Sequence, residues 1–255
     1  MSMALPDQPR FPPVLGTLIL RDMLDTVRNP LSLPFGAAFC IGMGFFCRRL
    51  VAHPDPSVPL SGLLVCLAMT TMWGALVVTI NTVVQERSCG TAKILADYGV
   101  RPWQIMASKV LTAVALCFAL SFAACLALSL EWCVGLAVAA AAALASIPTA
   151  LLCLACGLAA HETSETGAPA FLICLMCMAG PLACLWEPLG AVAWMFAPGG
   201  IHLAIAHALY GTQLPAAPWA ICLVWVAWLG VGALLVRLMG RRLPTLLRPP
   251  GPRSA

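Results

Sequence analysis

Residues 85–109 read QERSCGTAKILADYGVRPWQIMASK. This is the longest strongly polar interval between hydrophobic blocks. Four of the fourteen Lys and Arg residues fall in it: Arg87, Lys93, Arg101 and Lys109. It is too long for a tight turn and too short for a domain. On both sides the chain runs in apolar blocks of roughly 17–27 residues, long enough to cross the ~30 Å hydrocarbon core of a bilayer as helices. Lipid offers backbone groups no partner, so such blocks satisfy their own N–H and C=O groups by helix formation. A polar segment slung between two of them is placed to touch something on one side of the membrane.

The chain has 255 residues, of which 61% are hydrophobic and 9% charged, where a soluble domain carries about 25% charged. An all-α membrane protein follows, one domain over 1–255: an N-terminal part (1–30), a bundle (31–239) and a basic tail (240–255). Six spans are expected, at about 31–50, 60–84, 110–130, 133–159, 168–186 and 218–238. Before them, 14–29 has helical spacing of Leu15, Leu18, Ile19 and Met23, with Arg21, Asp22, Asp25 and Arg28 mostly on the other side. That pattern predicts an amphipathic helix along the lipid interface, ended by Asn29-Pro30. Residues 187–217 are apolar but broken by Pro188, Pro198, Gly199, Gly200 and Pro215. The piece Ile201–Tyr210 is too short to span, so a re-entrant or interfacial segment is expected there. The N-terminus lacks the apolar core of a cleaved signal peptide.

Six spans put both ends on one side. That side then holds every Lys and Arg except Arg48 and Arg49, a strong positive-inside bias. Both termini, 85–109 and the 160–167 loop are expected in the cytoplasm, and 51–59 and 187–217 outside. These charges report topology, and no nucleic-acid partner is expected.

Several chemistries lack their residues. There is no Gly-rich Lys-Ser/Thr phosphate loop and no His-Glu-x-x-His. His202 and His207 are five apart, off the spacing that puts two ligands on one helix face, so no metal site is expected. His161, Glu162 and Glu165 read as a polar surface turn. The thirteen cysteines fall mostly in apolar blocks and read as small packing residues, including the pairs Cys153/Cys156 and Cys174/Cys177. With no charge near the centre of any span, an ion-coupled transporter is disfavoured. An intramembrane enzyme is disfavoured by the lack of paired His, Asp or Glu in the spans.

Within the polar stretch, Glu86-Arg87 lead to Gly90-Thr91, a short amphipathic run Ala92–Tyr98, a break at Gly99, and Arg101-Pro102-Trp103 opening another helix. From spacing alone this is either a solvated loop or a short helix parallel to the membrane, hinged by glycines. The pattern Glu86-Arg87-x-x-Gly90-Thr91, about eight residues, then Arg101-Pro102-Trp103-x-Ile105-x-x-x-Lys109 resembles the signature of type-2 ABC exporter permeases. So do Arg28-Asn29-Pro30 before the first span, the broken segment around Pro198, and the span count. The chain departs from the pattern at Ala92-Lys93, where the family often has Leu-Glu.

The resemblance implies a permease subunit that binds no cofactor itself. It would pair as a homodimer or with another permease and dock on ATP-binding cassette subunits that hold ATP and Mg. The helix at about Glu86–Tyr98 would be the coupling helix. Glu86, Arg87, Gly90, Thr91, Lys93, Arg101 and Lys109 would form the contact with the ATPase, and Thr70, Thr71, Thr79 and Asn81 are candidates for the substrate path. A bacterial or archaeal cell membrane is the expected location. Two alternatives stay open: a haem-handling permease of cytochrome c maturation, and a membrane scaffold subunit with no transport path.

Overall fold

The computed structural model describes residues 12–28, 33–51, 57–160 and 163–240. Expectations for 1–11, Asn29-Pro30, most of the Pro-rich 51–59 link, His161-Glu162 and the tail beyond 240 lie outside them. Among the described residues, regular structure is entirely helical. Five helices are long and apolar enough to cross a membrane: Leu60–Glu86, Pro102–Ala127, Trp132–Ala159, Ser164–Ala183 and Pro218–Gly240. The chain is therefore a multi-pass membrane protein. The expected first span is a helix, α2 (Leu33–Val51), ending in the exposed pair Arg48-Arg49, but it is not among those five.

The second rod is not a plain α-helix. It runs as α3 (Ser57–Thr71), a π-helical segment (Met72–Val77) and α4 (Val78–Ser88). A Cβ on Gly74 would lie 3.0 Å from the N, Cα and Cβ of Cys117. Glycine there lets the widened π turn press directly on the next rod, α6 (Pro102–Ala127). That rod starts at Pro102, where Arg101-Pro102-Trp103 is expected to open a helix, and continues unbroken into the span expected from about 110. Proline suits a first helical turn, and the Arg101 N–H donates to Gln104 Oε1 at 2.9 Å. Lys109 thus lies inside the helix, about 10 Å from its start.

The fourth rod, α7 (Trp132–Ala159), packs against α6 and α11 (Pro218–Gly240). It contains Pro148, which has no N–H for the carbonyl of Leu144. Trp225 Nε1 of α11 donates to that carbonyl at 3.2 Å instead. A neighbouring helix thus answers the group the proline leaves free. After α8 (Gly167–Leu185), a short α9 (Glu187–Ala193) folds back along α8, and α10 (Ala197–Tyr210) returns among α3, α7 and α8. α10 is longer than the expected ten residues. At the turn between α9 and α10, the Met195 carbonyl accepts from Trp228 Nε1 at 2.8 Å. Trp228 is ten residues into α11, about 15 Å from its start. Exposed Trp132, Trp186, Tyr210 and Trp219 stand at the element ends on this side of the bundle, as membrane-interface aromatics do. The cysteines of both Cys-x-x-Cys pairs are free, and Cys47, Cys66 and Cys125 pack with Leu63, Leu67 and Val138 in the main core.

The N-terminal helix, α1 (Pro12–Arg28), turns the expected apolar stripe inward, with Leu15, Ile19 and Met23 part-buried beside buried Leu18 and with Asp25 and Arg28 exposed, but it buries Asp22 as well. Leu18, Asp22 and Thr26, each one turn apart, are buried against the bundle, while Leu20, Leu24 and Val27 are exposed. Asp22 is hidden because Arg21, Ser108 and Lys109 bond its carboxylate.

Candidate functional site

Three elements meet around Lys109. α1 supplies Arg21 and Asp22, the end of α4 supplies Glu86, and the second turn of α6 supplies Ser108 and Lys109. Lys109 is only 2% exposed. Its Nζ donates to Asp22 Oδ1 and to Glu86 Oε1, each at 2.8 Å. Arg21 donates to Asp22 Oδ1 at 2.8 Å and bonds Glu86 as well. Ser108 Oγ donates to Asp22 Oδ2 at 2.8 Å, and Thr26 Oγ1 to the Asp22 carbonyl at 2.7 Å. Two acids and two bases balance, and each carboxylate is shared by both cations.

Burying such charges costs several kcal/mol apiece, repaid only where the geometry is close and the remaining lone pairs are used. Asp22 meets that condition with both oxygens bonded. Burial works against the Arg21 cation, but its bond to Asp22 and the nearby Glu86 charge hold its pKa above the ordinary value. Removing one charge leaves the others in a poorly solvated place. The arrangement is a charged joint that ties three helix segments together.

Beside the joint stands α5 (Thr91–Asp97), a short helix between two glycines with left-handed backbone, Gly90 (φ 71°) and Gly99 (φ 80°). Only glycine adopts that conformation cheaply, so both ends of α5 are defined turns. The expected helix at Glu86–Tyr98 is accordingly shorter, and Glu86 and Arg87 end α4 instead. Ile94 is 54% and Tyr98 83% exposed, leaving an apolar patch on α5 and the turn after it. Thr91 opens α5, and Arg101 is exposed at the start of α6. Arg87 and Lys93 sit on α4 and α5, and their side chains lie outside the described residues. The structure thus brings Glu86 and Lys109 together and spreads the other motif residues along α5 and its flanks. Arg21, Asp22 and Ser108 belong to the joint but were not expected there. The signal available was the need of Lys109, once inside a helix, for buried acids.

The threonines read as path candidates lie elsewhere. Thr70, Thr71 and Thr79 are fully buried in the chain's own bundle, while Asn81 is exposed. Thr70 Oγ1 accepts from Ser121 Oγ at 2.8 Å. Thr71 Oγ1 lies 3.3 Å from Nε2 of His202, a buried residue of α10. Among the described residues, no group of three or more His, Cys, Asp or Glu side chains is placed to hold a metal ion. Comparison with protein-family models and with curated proteins finds no match.

Proposed function

We propose that this chain is the permease subunit of an ATP-driven exporter of the type-2 ABC kind, docked on separate ATP-binding cassette subunits. The observation that carries the reading is the 2.8 Å contact between Glu86 and Lys109, the two ends of the motif, in a joint with α1 beside exposed α5. In this reading α2 is the first of six spans, and both termini and α5 face the cytoplasm of a bacterial or archaeal cell. α1 lies along the cytoplasmic lipid interface with Leu20, Leu24 and Val27 toward acyl chains. Of its charges, Arg21 and Asp22 are tied into the joint, and exposed Asp25 and Arg28 lie at the headgroup level.

Energy enters through α5. Its Ile94–Tyr98 patch seats in a groove of the ATPase, which holds ATP and Mg. Gly90 and Gly99 are the turns through which α5 pulls on α4 and α6. The joint makes α1, α4 and α6 respond as one body, and motion passes along the rods to the α9–α10 hairpin, which gates the exit as a re-entrant segment. Two such chains, identical or paired, enclose the path. Of the four candidates, Asn81 is on an exposed face and suits a path between chains. Thr70, Thr71 and Thr79 act inside the bundle. An apolar path suits an amphipathic or hydrophobic substrate.

The test is reconstitution of the full chain in proteoliposomes with a candidate ATP-binding subunit. Export and stimulated ATP hydrolysis are expected together. Glu86→Gln is expected to leave hydrolysis running while export falls. A chain that neither alters the ATPase rate of any such subunit nor moves substrate leaves the scaffold reading in place.

A further inference from the structure

Between the π-helical segment and the charge joint, the α4–α6 interface holds polar atoms that no protein group answers. Thr79 and Thr112 are fully buried, and neither hydroxyl has a hydrogen-bond partner among the described residues. Other buried hydroxyls in this bundle bond their own backbone three residues back: Thr70 to Leu67, Ser108 to Ile105, Ser146 to Ala143.

Register brings the two orphans to one level. Gly74 presses on Cys117 at one crossing point, and Glu86 meets Lys109 at the other. Thr79 and Thr112 fall between these crossings on their antiparallel helices. Thr112 is three residues along α6 from Lys109, on the same face. Lys109 is itself incompletely used: an ammonium has three donors, and two are engaged, by Asp22 and Glu86. A buried hydroxyl without a partner carries its full desolvation cost. Proteins meet that cost with internal water, bound where about two to four polar groups converge.

We propose that ordered water occupies the α4–α6 seam, bonded to Thr79 and Thr112 and continuous with the Lys109 side of the joint. The ligand is water alone. Its role is structural, and it gives the Lys109 ammonium a solvent to turn to whenever the joint loosens. This does not depend on what docks at α5.

A double-mutant cycle tests it on the full chain in detergent, read as apparent Tm. Thr79→Val and Thr112→Val keep the shape and remove only the hydroxyl. Shared water predicts that each single variant loses about 3 °C or more. The double variant should lose little beyond the worse single, and Thr112→Ser should stay near wild type. Unchanged or raised Tm in both valine variants would mean dry, unpartnered hydroxyls and would overturn the proposal. Fully additive losses would overturn a shared water, and a serine variant as damaged as the valine one would show that volume, not the hydroxyl, matters.

Discussion

At the joint end of the bundle, Asp22 and Lys109 are buried with Glu86 and Arg21 packed over them, and α1, α4 and α6 are held by charge. At the hairpin end, α8 to α11 bury no charged side chain among the described residues. Indole N–H bonds to backbone carbonyls tie them, Trp228 to Met195 and Trp225 to Leu144 of α7. Charge pairs are strong only in one arrangement, and a lost partner strands the rest. Indole–carbonyl bonds are individually modest, and the aromatic ring keeps packing if the bond breaks. One end is tied by a shared charge network, the other by bonds that can break one at a time.

The sharpest way to break that contrast is to remove one charge. Lys109→Met leaves Asp22 buried beside Arg21 alone and is expected to cost about 3–5 kcal/mol. The check is folded yield and apparent Tm in detergent. Adding Asp22→Asn to it should cost much less than the two single losses summed, since both remove one network. Additive losses would mean the charges act separately. A steric change between the two ends ranks next. Gly74→Val places atoms against the Cys117 backbone and should cost about 1–3 kcal/mol by overpacking, read in the same assay. Wild-type stability there would show that the π turn can retreat from α6.

The rods were legible from sequence because a long apolar run is a strong local signal, and the motif at Glu86 and Lys109 was legible because its spacing is local. The joint was not. Its bonds link residues 65 and 87 positions apart, and no local pattern records such pairing. The burial of Asp22 on α1 was missed for a related reason. Periodicity grouped it with the polar side of the helix, and only its distant partners Ser108 and Lys109 turn it inward. The start of α6 was legible in Arg101-Pro102-Trp103, but its mixed residues 102–109 left them outside the span expected from about 110. The π segment leaves no composition signal, with Gly74 its one hint.

At the hairpin end the expected effects are smaller. Trp228→Phe keeps an aromatic ring and removes the donor to the Met195 carbonyl. A loss of about 1 kcal/mol is expected, with increased proteolysis or hydrogen exchange confined to the α9–α10 turn. A global loss as large as that of Lys109→Met would erase the distinction between an end tied by a shared network and one tied by separate bonds.

The smallest effect on stability is expected at α5. Ile94 and Tyr98 are largely exposed, so Ile94→Ala with Tyr98→Ala should shift stability by no more than about 0.5 kcal/mol per site. Under the proposed function their contribution is to docking on the ATP-binding subunit. An apolar patch set between two glycine turns offers a rigid contact with little ordering cost, and truncating its two largest side chains removes most of the area a partner could bury. The double alanine variant should therefore fold like wild type, keep the joint intact, and lose co-purification with its ATP-binding subunit. Glu86→Gln, by contrast, should keep the partner bound and lose the coupling. If the alanine variant still captures the partner, contact runs through another surface. The joint would then transmit force from somewhere other than α5.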